Sequence, residues 1–493
     1  MENKVLVNAN SKEIISGALF QETCEAERKQ NERILGVTAR SSVAGYEALN
    51  GEFRVTIKTV FRIVKHSEEG YDVEEKETES VKSISDKRIT PMSKAYLFAC
   101  VTDVNTSSGN PMGIKASVEI NGWFIRERKI ELFDKNAEGV YCKTTSLKVQ
   151  SVSPLSDYDY TLSYTDEARM PIERIIDCYA ETTVSGAYPS DGSYRIEGEA
   201  NIKVLALTDN KQFLTQMYTH PFSVEIADEL VTADSKIDAR GTVKGFRCDV
   251  TESDKRVILF DLDVRFCGTL VTETEIEGVV DAYCKSKETS LSVNKEVFDV
   301  SFCIRSVREK AVSTVNLDNV QEILGSLTPL VSAGVTGSDG AITVEGVVSS
   351  TVIYLSEDNA IRAVETETPF LSVINGEFSC DNLLTPEVSV TNVTTRIRGG
   401  KDIETTTELL ITVRGIKRTT AEVVSDVVIG ADKEEDDYAI SLYIVRPGES
   451  LFDVAKAMNS DEESIMKQNP ELALPMQGGE KVIFYKELPY EIA

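Results

Sequence analysis

Two histidines, His66 and His220, are all that this chain of 493 residues contains. Neither falls in a metal-ligand spacing such as His-x-x-x-His, so no histidine-built metal centre is expected. The nine cysteines are scattered without a Cys-x-x-Cys, which argues against both a zinc site and a disulfide framework. Cys178 and Cys267 sit in alternating apolar patterns and read as small buried hydrophobes. A Gly-x-Ser-x-Gly elbow is missing, so a hydrolase of that kind has no support. Gly399-Gly400-Lys401-Asp402 is the nearest approach to a phosphate loop, but Thr395 stands where its first glycine belongs; the segment reads as a hairpin turn. No run of about 18 apolar residues occurs, and Met1 to Val7 lacks an apolar run of signal-peptide length. The expectation is a cytosolic protein without membrane insertion. Positive charge is also short: 53 basic against 81 acidic residues leave a net charge of −28, which repels nucleic acid and anionic lipid and favours a protein or a neutral glycan as partner.

What the chain does have is a pattern used three times. Arg33-Ile34-Leu35 leads to Asn50-Gly51 and the run Phe53 to Ile57. Arg174-Ile175-Ile176 leads to Asp191-Gly192 and Tyr194 to Gly198, and Glu322-Ile323-Leu324 leads to Asp339-Gly340 and Ile342 to Gly346. The turn glycines and the leading isoleucines share the same two intervals, 141 and 148 residues. Intervals of that size mean duplicated domains, because solenoid units are only about 20 to 50 residues long.

Asn-Gly or Asp-Gly between alternating apolar runs signals a tight hairpin, because both turn residues can take positive φ. Phe53, Val55, Ile57, Phe61 and Ile63 alternate with Arg54, Thr56, Lys58 and Arg62, giving one buried and one wet face. Asp261 and Asp263 alternate with Phe260, Leu262 and Val264, which places this carboxylate pair on a wet face. The glutamates of Val73 to Val81 read as an exposed edge or loop, or equally as an acidic patch presented to a basic partner. Each unit is therefore expected to be an antiparallel sandwich or barrel, with short helices at Pro171 to Ile176 and Asp318 to Leu324. Tyr141-Cys142-Lys143 and Tyr283-Cys284-Lys285 form twin endings. Linkers are expected at Gln150 to Asp157, at Asn294 to Asp299 and at the acidic run Ala431 to Asp437, the last of them solvated and flexible.

Near the end, Tyr443 to Val445 reads as a strand, Pro447-Gly448 as a turn, and Ser450 as the N-cap of a helix with Asp453 reaching back. Leu451, Val454, Ala455 and Met458 give that helix an apolar face. A second helix is expected to start at Ser460 with Glu463 three residues on and to end at Gln468-Asn469-Pro470, before a strand at Lys481 to Tyr485. With Pro447-Gly448-Glu449-Ser450-Leu451, Asn469-Pro470 and Gly479, this order resembles a LysM module. The resemblance implies a shallow groove for glycans containing N-acetylglucosamine, formed by Gly448, Glu449, Ser450 and Leu451 on one side and Asn469, Pro470, Glu471 and Leu472 on the other.

Three β-rich units ahead of a single C-terminal LysM-like module resemble the SPOCS–LysM spore-coat morphogenesis proteins of endospore-forming bacteria. The expected fold is mainly β: three repeated sandwich- or barrel-like SPOCS domains at 1–150, 151–298 and 299–430, an acidic linker at 431–441, and a small βααβ LysM domain at 442–486. The resemblance implies a mother-cell protein at the forespore surface, a non-enzymatic scaffold that binds a coat morphogenetic ATPase (SpoIVA-like) and helps localise the coat. No catalytic residue, metal or cofactor is expected. The competing reading is a peptidoglycan- or cortex-targeting protein that binds GlcNAc-containing glycan. A carboxylate-based enzyme hidden in one β unit is a third.

Overall fold

The computed structural model describes residues 3–29, 31–68, 70–317, 319–376, 383–399, 401–434 and 440–485. About 75% of the chain is strand and 3% helix. The chain begins with β1 (Lys4–Asn8), β2 (Ser11–Ala26), β3 (Arg33–Leu49), β4 (Glu52–Ser67), β5 (Gly70–Ser85), β6 (Lys94–Thr106), β7 (Met112–Arg126) and β8 (Lys129–Phe133). It continues with β9 (Tyr141–Pro154), β10 (Tyr158–Glu167), β11 (Ile172–Ser190), β12 (Ser193–Thr208), β13 (Phe213–Ala227), β14 (Lys236–Val250), β15 (Val257–Tyr283) and β16 (Lys287–Asn316). Then come β17 (Val320–Ser326), β18 (Leu330–Ser338), β19 (Ala341–Ser356), β20 (Ile361–Asn375), β21 (Leu383–Arg398) and β22 (Asp402–Asp432). The last elements are β23 (Ile440–Ile444), the helices α1 (Leu451–Ala457) and α2 (Glu462–Gln468), and β24 (Lys481–Tyr485). No helix among the described residues is long and apolar enough to cross a membrane.

One strand pattern occurs three times. The order β2-β7-β6 faces the meander β3-β4-β5, β10-β15-β14 faces β11-β12-β13, and β16-β22-β21 faces a sheet in which β19 lies between β17 and β18 on one side and β20 on the other. Alternation explains why each pair of sheets closes. Phe53, Val55 and Ile57 on β4 are fully buried against Ile114, Val118 and Phe124 on β7, and the Phe53 and Phe124 rings meet edge to face at 5.5 Å. Tyr194 and Ile196 meet Phe260 and Phe266 in the second pair, and Ile342 and Val344 meet Leu409 and Ile411 in the third.

The three hairpins at Gly51, Gly192 and Gly340 have two-residue loops, with Leu49 opposite Glu52, Ser190 opposite Ser193 and Ser338 opposite Ala341. Only the glycine of each takes a left-handed φ, of 80°, 79° and 85°; Asn50, Asp191 and Asp339 stay at negative φ. The mirror-type turn with two left-handed residues is therefore not used, since a residue bearing a Cβ avoids that region at a steric cost. Ile172 to Ile176 and Val320 to Leu324 are strand, in place of the helices expected at Pro171 to Ile176 and Asp318 to Leu324. Register shifts at Ile175/Asp177 and Ile323/Gly325 break the period of two there, and a bulged strand mimics helical spacing in sequence. A shift at Ile34/Gly36 occupies the matching place in β3.

Gln150 to Pro154 continues β9 and Asn294 to Asp299 runs inside β16, so these expected linkers are paired backbone. β15, β16 and β22 each extend past their sandwich into a shared stem, where Val149, Ile276, Phe298 and Val423 form one core with Ile130 and Leu132. Leu35, Ile176 and Leu324, together with Val64, Leu205 and Ile353, meet in another cluster between the units. Both triplets carry the 141 and 148 intervals, so corresponding positions of the three units converge on one another. The approach is close at Gly36, where a Cβ would sit 2.5 Å from the Leu327 side chain.

Candidate functional site

The C-terminal module is built from β23 and β24, paired antiparallel from Ile440 opposite Tyr485 to Ile444 opposite Lys481, with both helices between them in sequence. Val445, Phe452, Val454, Ala455, Ile465 and Val482 form its core. At the start of α1 the Ser450 N–H and hydroxyl both donate to the Asp453 carboxylate, at 2.8 and 2.6 Å. The cap of α2 is Asp461, which accepts from the Ser464 N–H at 2.6 Å; Ser460, the expected cap, is buried one residue earlier and its carbonyl is engaged elsewhere. Asp461 wins because its carboxylate also lies at the positive end of the helix.

The expected groove residues fall on two loops. Gly448, at a left-handed φ of 86°, Glu449, Ser450 and Leu451 form the entry to α1, and Asn469, Pro470, Glu471 and Leu472 follow α2. Leu451 and Leu472 pack on the same core. Much of their polar capacity is committed internally. Glu449 accepts from the Tyr443 hydroxyl at 2.9 Å and the Arg446 N–H at 2.8 Å. The Asn469 amide donates to the Ile465 and Ile483 carbonyls and accepts from the Ile483 N–H at 2.9 Å, fastening α2 to β24. Pro470 and Glu471 remain exposed.

The outward face of the module's sheet is largely apolar, with Lys481 opposite Ile444 as its charged exception among the described residues. Ile440, Leu442 and Ile444 are 59–60% exposed, and across the pairing Tyr485 and Ile483 join them. The inward positions carry Ser441 and Tyr443 instead.

The module is seated on the rest of the chain, and the seat is the twin Tyr-Cys-Lys ending. Tyr141 and Tyr283 stack at 5.4 Å, and Tyr283 meets the Phe452 ring edge to face at 5.2 Å. The Tyr283 hydroxyl donates to the Ser460 carbonyl at 2.6 Å. Lys143 pairs with Asp453 at 3.0 Å, Lys285 pairs with Asp461, and Lys456 of α1 pairs with Asp281 at 2.7 Å. Burial raises the Asp461 carboxyl, but Lys285 and the Ser464 bonds outweigh it and bring the group down to about 2. These contacts dock the module on the stem. Lys433 of the acidic run donates to the Cys284 carbonyl and the Asn459 side chain; residues 435–439 of that run lie outside the described residues. Cys142 and Cys284 pack with Val279 and Val424, as small apolar groups do.

No protein-family model matches the chain, and no curated protein matches it either.

Sequence reasoning did not find the polar junction where the three sandwiches meet. Lys12 of β2 donates to buried Asp238 of β14 at 2.6 Å and lies over the Trp123 ring at 4.0 Å. Asp238 also accepts from Arg414 of β22, which reaches Glu387 of β21 at 2.5 Å; Glu387 pairs with Arg240 at 3.2 Å, and the Arg240 guanidinium stacks 3.6 Å over Phe98. Burial pulls the Lys12 ammonium below its ordinary value against the opposing pull of Asp238. No signal in the sequence marked it: Ile237 and Ala239 face the core of their own sandwich, so Asp238 alternates outward like any other strand charge.

His220 stacks on Tyr164 and bonds Asp166 at 2.6 Å, and His66 packs on Tyr71. Asp261 and Asp263 accept from Ser163 and Thr161 on the outward side of β15. Glu74, Glu75 and Glu77 of edge strand β5 pair with Lys65, Arg62 and Lys58 of β4. No group of metal-ligating side chains occurs among the described residues.

Proposed function

We propose that this chain is a non-enzymatic adaptor of the SPOCS–LysM kind, in which three repeated β-sandwich domains carry a LysM-type module whose sheet face binds a protein. The observation that carries this reading is the outward face of Ile440, Leu442, Ile444, Ile483 and Tyr485. Adjoining exposed apolar side chains on a small module mark a protein contact more readily than a sugar site, where hydroxyl recognition calls for uncommitted polar groups. The partner is a coat morphogenetic ATPase (SpoIVA-like), and the place of action is the mother-cell side of the forespore, where the coat is laid down. The seat fits that role, because a docked module presents its face in a fixed direction and spares the ordering cost of a tether.

Co-purification from sporulating cells tests it. Leu442→Glu, with an unchanged melting temperature, is expected to cut capture of the ATPase at least tenfold, about 1.4 kcal/mol. Undiminished capture by this variant overturns the assignment and moves the contact to the sandwiches. The second reading, binding of peptidoglycan or another GlcNAc-containing glycan between Gly448–Leu451 and Asn469–Leu472, rests on Leu451 and Leu472 of those loops packing on one core. Retention of the full chain on purified peptidoglycan, lost on Glu471→Ala, would favour it over protein docking.

A further inference from the structure

The sheets β2-β7-β6, β10-β15-β14 and β16-β22-β21 each place an edge strand first: β2, β10 and residues 301–316 of β16. The outer backbone groups of such a strand have no ladder partner and form a template for another strand unless they are covered. In the first sandwich β5 covers them. Lys76 donates to the Glu25 carbonyl, Lys82 to the Gln21 carbonyl at 3.2 Å, and Ser80 to the Glu22 carboxylate at 2.6 Å. β2 also carries a register shift between Ile15 and Ala18. In the third sandwich β20 lies along β16, with the Ser313 and Thr368 hydroxyls bonded at 2.8 Å.

The second sandwich leaves β10 bare. Bonds to β13 occur at one end, where Asp166 meets His220 at 2.6 Å and the Glu167 carbonyl accepts from Gln216 at 3.2 Å. Beyond the other end the Ser156 N–H donates to Asp228 at 3.0 Å. Among the described residues, no hydrogen bond joins residues 158–165 to β13, and their only ladder is with β15. That ladder runs ten residues without a register shift, and β10 contains no Lys, Arg or Pro. Bulges, prolines and edge lysines are the usual guards of an edge, and β10 has none of them.

The side chains along β10 describe what would pair with it. Tyr158 and Tyr160 lie opposite Phe266 and Val264, on the side of the sheet that faces the core. They are nevertheless 39% and 43% exposed, and they stack at 6.1 Å. Apolar side chains on an added strand would cover them as cross-strand neighbours. The opposite row is short and polar, and behind it lies acid. Asp263 and Asp261 accept from Thr161 and Ser163 at 2.7 and 2.6 Å, and no cation comes within ion-pair distance of either among the described residues. A lysine on the outward row of an added strand can reach over these small side chains to the two carboxylates.

We infer that the free edge of β10 takes up an extended segment of a partner protein as an added strand, one that alternates apolar residues with lysine or arginine. Backbone hydrogen bonds give such a contact its affinity, and the alternating side chains give its specificity. A second copy of this chain is disfavoured by the net charge of −28. A glycan lacks the regular repeat of donors and acceptors that a strand edge presents.

The test is fluorescence anisotropy of the full chain with a fluorescein-labelled peptide, Thr-Val-Lys-Val-Thr-Val-Lys-Val. Its controls carry glutamate for both lysines, or proline at the two central positions, which cannot pair as a strand. Saturable binding of the lysine peptide is expected, roughly tenfold weaker for the glutamate peptide and absent for the proline peptide. Tyr160→Lys sets a charge on the inward row of the edge and is expected to cut affinity roughly tenfold, while Tyr160→Phe keeps it. Thr161→Lys, which competes for Asp263, gives a smaller loss and serves if Tyr160→Lys fails to fold. No saturable binding, equal binding of either control peptide, or unchanged binding by a folded Tyr160→Lys would overturn the inference. A dimer of the chain that Tyr160→Lys dissolves would overturn it in favour of a second copy. Leu442→Glu is expected to bind the peptide normally, which separates this edge from the adaptor reading; loss of binding in that variant would move the peptide to the module.

Discussion

At the junction of the sandwiches the charges are buried, with Asp238 2% exposed between Lys12 and Arg414, whereas at the module's seat Lys143, Lys285 and Lys456 stand at the rim of an aromatic stack. The same residue types serve different ends in the two places. Removing one member of a buried set strands the others in a low dielectric and costs several kcal/mol, while an ion pair at a rim is screened and contributes about 0–1 kcal/mol. The junction is therefore permanent and intolerant of substitution, and the seat owes its specificity to charge and its strength to Tyr141, Tyr283 and Phe452.

Asp238→Ala breaks the comparison hardest. It strands Lys12 and Arg414 together, and urea unfolding is expected to show a loss of about 3–5 kcal/mol; a loss under about 1 kcal/mol, the value for exposed pairs, would mean that the junction behaves as a surface. Tyr283→Ala is next. It removes the stack, the contact with Phe452 and the bond to Ser460, and should release the module at a cost of about 3 kcal/mol, read as new protease cleavage between 433 and 440 with the sandwiches intact. Tyr283→Phe deletes the hydroxyl alone and should weaken docking by about 1 kcal/mol. Lys285→Ala is expected to have the smallest effect, one that 1 M salt erases. Because the Asp461 carboxyl is lowered from 3.8 to about 2, the stability its pairing lends is complete above pH 4 and fades as the pH falls towards 2. Acid release of the module that is identical with and without Lys285 would refute the pairing.

Local features were legible in the sequence. The Asn-Gly and Asp-Gly turns, the alternation along Phe53 to Ile63 and the Ser450–Asp453 cap each rest on residues within a few positions of one another. Long-range features were not. Tyr141 and Tyr283 lie 142 residues apart, and though their shared motif stood out, nothing in either copy shows that one stacks on the other or that both hold Asp453 and Asp461. The bulges at Ile175 and Ile323 misled in a different way, because an extra residue in a strand shifts the apolar period towards that of a helix. Asp238 and Glu387 looked like any other strand charge, since burial there is created by a neighbouring sandwich.

The stem strands give the molecule a mechanical axis. β16 and β22, of 30 and 31 residues, pair antiparallel from Lys287 opposite Asp432 to Asn316 opposite Asp402, and in sequence the module lies beyond the Asp432 end, with β23 starting at Ile440. A pull on the module against the Asn316–Asp402 end of the third sandwich enters β22 along its length, so many ladder hydrogen bonds share the tension at once, in shear, instead of opening one after another. A chain loaded in this way would yield first at the module's seat, with the β16–β22 ladder holding behind it.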